Sequence, residues 1–362
     1  MEIAREGKIL IYWNGRNVTG DISKYISAVS YTDHEEGSCD ECSITLLNED
    51  GLWSGSWYPD FGDTVRIYLG YTDSLMDCGL FEIDELKFSG VPDMLEIKGI
   101  AAGITKELRT RNNKEFESQT LKQIAEYFCT KHSLELVDDT VIDSTQASIG
   151  QVVIDRKTQE DKSDLQFLAE IATEYGFVFS IRGTKMVFVS YYTLDNKESS
   201  FTLRKNQLSN YSISEKTWDT YQAANVKSLD VKNDAVIEDS QNSEVETTKV
   251  DTIEIKSGSR NTQQAEIVAK AALWDKNKLK QTGALNDLPG NAGYVAGLNF
   301  DLVSMQNMGG KWHITTSNHN VSGDGAYTTS LEIRKTGFVA IPEVATVETT
   351  DSQYDEGNSY KE

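Results

Sequence analysis

The sequence predicts a mainly β chain with an α+β insert and an acidic tail at its C-terminal end. Three observations carry that reading. Short runs alternating apolar and polar residues, separated by Gly and Asp/Asn turns, fill the first hundred residues and return after about 200. Two stretches with helical spacing and matched start signals lie between them. Residues 341–362 are acidic and Thr/Ser-rich, with no apolar period. The chain has 362 residues, 38% apolar and 25% charged, enough for two or three domains at ~100–200 residues each.

Lys8-Ile-Leu-Ile-Tyr-Trp13, followed by Asn14-Gly15, reads as a strand entering a hairpin turn. Ser43-Ile-Thr-Leu-Leu47, Val65 to Gly70, Phe81 to Phe88 and Met94 to Ile100 continue the set, with Val65, Ile67 and Leu69 on one face. Residues 1–105 therefore predict a small barrel or sandwich. The pattern then changes. Thr120-Leu-Lys-Gln123 and Ser163-Asp-Leu-Gln166 are capping boxes, with helical spacing after each and Gly176 as the second helix's stop. Phe177 to Ile181 and Lys185 to Val189 form a hairpin around Arg182-Gly-Thr184. Residues 106–198 read as an α+β unit, and residues 199–340 as a second β region. One helix interrupts that region near 262–281, capped by Asn261 with Gln264 and ended by Gly283. Residues 341–362 are predicted to be a flexible tail.

Asp plus Glu number 57 against 35 Lys plus Arg, a net charge of −22. Residues 1–105 alone hold −12 of it. Phosphate backbones and anionic lipid both favour basic faces, so neither specific nucleic-acid binding nor membrane insertion is expected. The charged, interrupted start, Met1-Glu-Ile-Ala-Arg5, predicts no signal peptide.

Few residues suggest chemistry. Cys39-Asp-Glu-Cys42 has ligand spacing, and Cys129 with His132 offers a second pair, but the two pairs fall in different units. A redox role is disfavoured because a strand, not a helix, follows the CxxC. His313 and His319, six apart, would share a face of one strand, where a hydrogen-bonding role is favoured over metal binding. Acid clusters such as Glu82/Asp84/Glu85 and Asp138/Asp139 are what 57 acids produce by chance. Trp53 and Trp57 suggest either a stacking loop for carbohydrate or a loop pinned by tryptophan. Sequence signatures for phosphate loops, nucleophile elbows, zinc proteases and EF-hands do not occur. No cofactor, metal or catalytic residue is assigned.

Several segments together resemble the phage late control protein D family, the baseplate or tail hub family of contractile tails, tailocins and related injection systems. They are Asp21 to Asp33, Cys39 to Leu46, Trp57 to Asp63, Gly79 to Pro92, Ile97 to Ala102, Glu160 to Gly176, Asn318 to Asn320, and Gly325 to Ile333. The hub part of type VI secretion spike proteins is similar. Cys39 stands where a small residue is expected, and residues 341–362 have no recognised counterpart. The resemblance implies two related β-barrels flanking the insert, and no enzymatic activity. It implies a homotrimer adapting a sixfold tail tube to a threefold spike, with tube protein, spike protein and other baseplate proteins as partners. The place of action would be a phage tail or extracellular injection particle, assembled in the bacterial cytoplasm. On this reading Asp33, Glu35, Glu36, Asp40 and Glu41 are candidates to line an axial channel or to form a contact loop. Ile341, Pro342, Tyr354 and Tyr360 are candidates to anchor the tail on the spike or another partner. The competing readings are a peptidoglycan-cleaving tail enzyme and a carbohydrate- or receptor-binding β module.

Overall fold

The computed structural model describes residues 5–36, 39–103, 106–138, 153–218, 220–230, 235–242, 251–256 and 262–336. The first region holds β1 (Gly7–Trp13), β2 (Arg16–Asn17), α1 (Thr19–Ile22), β3 (Ile26–His34), β4 (Glu41–Leu47), β5 (Thr64–Tyr71), β6 (Ser74–Ser89) and β7 (Met94–Ala101). The insert follows as α2 (Lys106–Arg109), β8 (Arg111–Thr120), α3 (Leu121–His132), β9 (Glu135–Asp138), β10 (Val153–Ser163), α4 (Asp164–Tyr175), β11 (Phe177–Arg182), β12 (Lys185–Ser190) and α5 (Tyr191–Asn196). The rest comprises β13 (Phe201–Arg204), β14 (Asn210–Glu215), β15 (Ala223–Asp230), β16 (Ala235–Asn242), β17 (Thr252–Lys256), α6 (Thr262–Asn277), β18 (Gln281–Pro289), β19 (Asn299–Val303), β20 (Gly310–Ser322) and β21 (Tyr327–Lys335). The fold is mainly β, and among the described residues no helix is long and apolar enough to cross a membrane.

Period-2 patterning decides which faces the strands bury. In β5, Val65, Ile67 and Leu69 are at most 2% exposed, and they meet Ile11, Ile44, Phe81, Leu95 and Ile97 in one core. The Asn14-Gly15 turn works because both residues take positive φ, 46° and 79°, the geometry of a two-residue hairpin. A second core gathers Leu203, Phe300, Leu302, Trp312, Ile314, Leu331 and Ile333.

The two β regions are one sheet. β20 pairs antiparallel with β3, from Thr316 opposite His34 to Ser322 opposite Ala28. The strand order runs β14-β18-β21-β20-β3-β4-β7-β6-β5-β1-β2, with β19 and β13 branching from β20. The far end curls back, since the Gly7 N–H donates to the Gly325 carbonyl at 2.8 Å. Val321 and Tyr327, from the C-terminal strands, sit in the first core.

The insert forms as the caps predict. Thr120 Oγ1 accepts from the Gln123 N–H, Ser163 Oγ accepts from the Gln166 N–H, and each glutamine side chain returns a bond to the cap's N–H. Gly176 closes α4 in the left-handed conformation at φ 76°. The helices cover a sheet of β11, β12 and β9, with Phe116, Phe128, Phe167 and Phe188 in the core.

Two features depart from the sequence reading. α6 ends at Asn277, not near Gly283, which lies in β18. Asn277 turns its amide onto the backbone of Tyr221, donating to its carbonyl and accepting from its N–H, both at 2.9 Å, and Gln281 already pairs with Glu215. The proposed cap, Asn261, is outside the described residues. In addition, Val268 of α6 joins the core of the insert, and a small sheet of β16, β15 and β17 packs against the same helix. Residues 262–277 thus lie with the α+β unit although they follow β14 in sequence.

Candidate functional site: a buried polar junction and an aromatic face

Where β3 ends, the first β region, the insert and the C-terminal strands converge on a cluster of charges. Glu35 and Asp33 are 4% and 2% exposed. The Glu35 carboxylate accepts a short hydrogen bond from His313 Nε2. On the other side of that ring, Nδ1 donates to Asn299 Oδ1 at 2.6 Å. The Asn299 amide is fixed by donating to the carbonyls of Leu194 and Lys197. Burial alone would push the Glu35 carboxyl up. The His313 bond, with Arg334 and Lys278 nearby, outweighs it and holds the group below the usual carboxylate range.

Beside it, Glu36 accepts from the Tyr191 hydroxyl and pairs with Lys278 at 2.9 Å. Tyr191 stacks on Trp274 with ring centres 3.5 Å apart. Trp274 Nε1 and Arg334 both donate to Asp195, at 3.0 and 2.7 Å. The Arg334 guanidinium lies 4.8 Å from the Trp274 ring centre. One chain of contacts therefore ties β3, α5, α6, β20 and β21 together.

Each acid suggested by the sequence has a definite place. Asp33 Oδ2 accepts from the Ala296 N–H at 2.8 Å, and its other oxygen lies 3.1 Å from Arg182. Asp40, also buried, accepts from the Tyr31 hydroxyl and the His34 N–H. Asp33, Glu35 and Asp40 thus face into the chain, not toward solvent, because Arg182, His313 and Tyr31 supply partners there. Glu36 is half-buried in its pair with Lys278, and Glu41 is exposed. Ile341, Pro342, Tyr354 and Tyr360 lie outside the described residues.

Burial, reinforced by Asp40 and opposed by Arg182, pushes Asp33 up to about 7. An unfolded aspartate titrates near ~3.9. Between those values the unfolded chain has released a proton that the folded chain keeps, so this group makes stability fall as pH rises from about 4 to 7. Asp33→Asn is expected to make that decline shallower. Urea unfolding at pH 5, 6 and 7.5 checks it, and an unchanged slope refutes it.

His313 and His319 are both fully buried, but they do not share a face. The β20 register slips between Ile314 and Thr316, and the extra residue of this bulge reverses the alternation. His313 lies opposite Arg334 toward the junction, whereas His319 lies opposite Thr329 and meets the Tyr327 hydroxyl at 2.8 Å. Burial holds His319 down at about 4. Among the described residues no group of three His, Cys, Asp or Glu is placed to hold a metal. Cys39, Cys42, Cys78 and Cys129 are free thiols.

The tryptophan loop is pinned. Trp53 is 4% exposed and meets Trp57 and Tyr25 edge-on, with centres 5.4 and 6.0 Å apart. What this loop leaves outside is apolar: Trp57, Tyr58, Phe61, Phe88 and Val91 are exposed, Phe61 by 67% and Val91 by 99%. Tyr58 stacks on Phe88. Exposed apolar side chains of this kind mark a contact surface.

The comparisons agree with this architecture. No protein-family model matches the chain. Two proteins described as probable baseplate hub proteins, from Escherichia phages P2 and 186, are 26% and 24% identical over 181 and 177 residues. Those matches cover 50% and 49% of this chain, and 44% and 43% of the relatives, so the chain matches less than half of their length. In fold, it superposes on the 43 kDa tail protein of prophage MuSo2 from Shewanella oneidensis with a TM-score of 0.68 at 11% identity, covering 91% of this chain and 99% of that one. An Escherichia coli component of the type VI secretion system, described as structurally similar to the bacteriophage T4 tail proteins gp27 and gp5, superposes with a TM-score of 0.53 at 9% identity. That match covers 87% of this chain and 74% of that one. This chain has the fold of phage tail proteins and resembles, in sequence, baseplate hub proteins.

Proposed function

We propose that the chain is a structural baseplate hub subunit that acts as a homotrimer and joins the sixfold tail tube to the threefold spike. The observation that carries the reading is the β3–β20 pairing, which fuses the N-terminal and C-terminal β regions edge to edge in one chain. With two related barrels per chain, a closed ring of three presents six barrels on one side and three chains on the other. The buried junction suits that work: it locks three chain regions against one another, so that load applied at one is transmitted to the others. The chain's role is mechanical and not catalytic, with tube, spike and other baseplate proteins as partners, in a tail or injection particle assembled in the cytoplasm. Of the acids suggested for a channel wall, Glu41 is the one whose side chain is exposed to serve there.

Mass in solution tests the stoichiometry, and three times 40.4 kDa is expected. A monomer at assembly concentrations refutes the trimer, and cell-wall digestion by the purified chain refutes the mechanical reading. The aromatic face is assigned to assembly. Phe61→Ser combined with Val91→Ser is expected to leave unfolding little changed, because both side chains are already solvated, while assembly is lost. A monomeric variant places the face between copies, and a trimer that no longer retains tube protein places it toward the tube. Full retention of both contacts refutes the assignment.

A further inference from the structure

The exposed apolar face of Trp57, Tyr58, Phe61, Phe88 and Val91 has a charged border, and that border is of one sign. Residues 39–103, described without a break, contain 13 acids against three bases, Arg66, Lys87 and Lys98. Each base already holds a carboxylate of the same stretch: Arg66 pairs with Asp77, Lys87 with Glu96 at 3.3 Å, and Lys98 with Glu85 at 2.9 Å. Ten acids are left with no basic partner from within it.

Backbone bonds bring several of those acids to the face. The Asn48 N–H donates to the Asp93 carbonyl at 2.8 Å, so Glu49 and Asp50 stand beside the turn that carries Val91. The Ile83 N–H donates to the Asp63 carbonyl at 3.0 Å, so Glu82 and Asp84 stand beside the end of the loop that carries Phe61. Asp60 immediately precedes Phe61. All of these acids except Asp63 are exposed. Two bases approach from the first hairpin and α1. Lys24 lies 4.5 Å from the centre of the Tyr25 ring, whose hydroxyl donates to Asp50, and Arg16 pairs with Asp21. Neither reverses the excess. Residues outside the described ranges hold 13 acids and 4 bases, so they offer no surplus of bases to cancel it.

An apolar centre inside a negative rim complements a partner of opposite sign. Lysine and arginine serve such a face twice, by meeting the rim carboxylates and by lying over exposed rings. A second copy is a poor occupant, since each chain carries −22 and like charges facing each other oppose contact. We infer that this face receives a different protein, whose contact surface sets lysines and arginines around an apolar anchor. The assignment of the face to assembly underlies this inference, which adds the charge of the partner. The rim then governs how fast the partner associates and how salt affects it, and the apolar centre governs how slowly it leaves.

Dye-labelled synthetic peptides that share one Leu-Trp-Leu anchor, flanked by Lys, Ser or Glu, probe the full chain by stopped-flow anisotropy. At low salt the Lys-flanked peptide is expected to associate about tenfold faster than the Ser-flanked one, and the Glu-flanked peptide more slowly still, with the differences shrinking at high salt. Combining Glu49→Gln, Asp60→Asn, Glu82→Gln and Asp84→Asn is expected to remove most of that advantage while dissociation changes little. Phe61→Ser with Val91→Ser keeps every charge and is expected to speed dissociation about tenfold. Equal association of the Lys- and Ser-flanked peptides overturns the inference. So does a Lys-flanked peptide that leaves the Phe61→Ser, Val91→Ser variant as slowly as it leaves the wild type, because diffuse charge then holds it. A wild-type trimer that these two substitutions turn into a monomer overturns it as well, since the occupant is then a second copy. A wild type that is itself monomeric but still selects the Lys-flanked peptide through this face refutes the trimer and supports the basic partner, whereas a trimer without selection does the reverse.

Discussion

Glu35→Ala is expected to destabilise the folded chain by about 3–5 kcal/mol, the usual cost of breaking a buried ion pair from one side. The substitution leaves His313 with a ring nitrogen facing a void, and removes one of the carboxylates near Arg334 and Lys278, which keep Asp195 and Glu36 as partners. Chemical unfolding at neutral pH measures the loss. Glu35→Gln is expected to cost less, since an amide oxygen still accepts from His313. The double variant with His313→Ala is expected to cost less than the two single losses combined, because the two groups share one contact. A folded-state value held below that of the unfolded carboxyl means that the Glu35 contribution is present at neutral pH and disappears as pH falls through the folded value. The gap between wild type and Glu35→Ala is therefore expected to narrow on acidification. A gap constant from pH 7 to pH 3 refutes the pairing as its cause.

Trp312→Ala is expected to cost about 3–5 kcal/mol through a different mechanism, the cavity left by a large ring in a packed core. Trp312 is fully buried among Phe300, Leu302, Ile314 and Leu331, and its Nε1 donates to the Met308 carbonyl at 3.1 Å. This core is separate from the one around Ile67 and Phe81. Hydrogen exchange in Trp312→Ala is thus expected to rise most in β13, β18 and β19, and least in β5 and β6. Uniform acceleration across both cores refutes that division.

The strands and caps of this fold were legible because their signals are local. Val65, Ile67 and Leu69 alternate within a few residues, and Thr120 and Ser163 each find their partner three positions on. β8 was not, since Arg111-Asn-Asn-Lys-Glu-Phe-Glu-Ser-Gln-Thr buries chiefly Phe116 and takes its strand form from pairing with β10. The bulge in β20 was not legible either, because nothing in Thr315 or its neighbours announces an extra residue. The junction shows the same limit more sharply. A run containing Asp33, Glu35 and Glu36 reads as solvated surface, and the groups that neutralise it, Arg182, Lys278 and His313, lie about 150–280 positions away. Charge complementarity at that separation leaves no periodicity to find. What the sequence offered was His313 as a hydrogen-bonding histidine, without its partner.

The pairing of β3 with β20 has a consequence during synthesis. Val29 and Val321 stand opposite one another, yet a ribosome adding about 5–20 residues per second emits them roughly 15–60 seconds apart. For that interval, β3 has β4 on one side and an open row of amides and carbonyls on the other. Nascent chains crowded on one message would meet at that edge before their own C-terminal strands exist. The acidic character of residues 1–105, net −12, then acts as a gatekeeper, since unfinished copies repel one another until β20 arrives to close the edge.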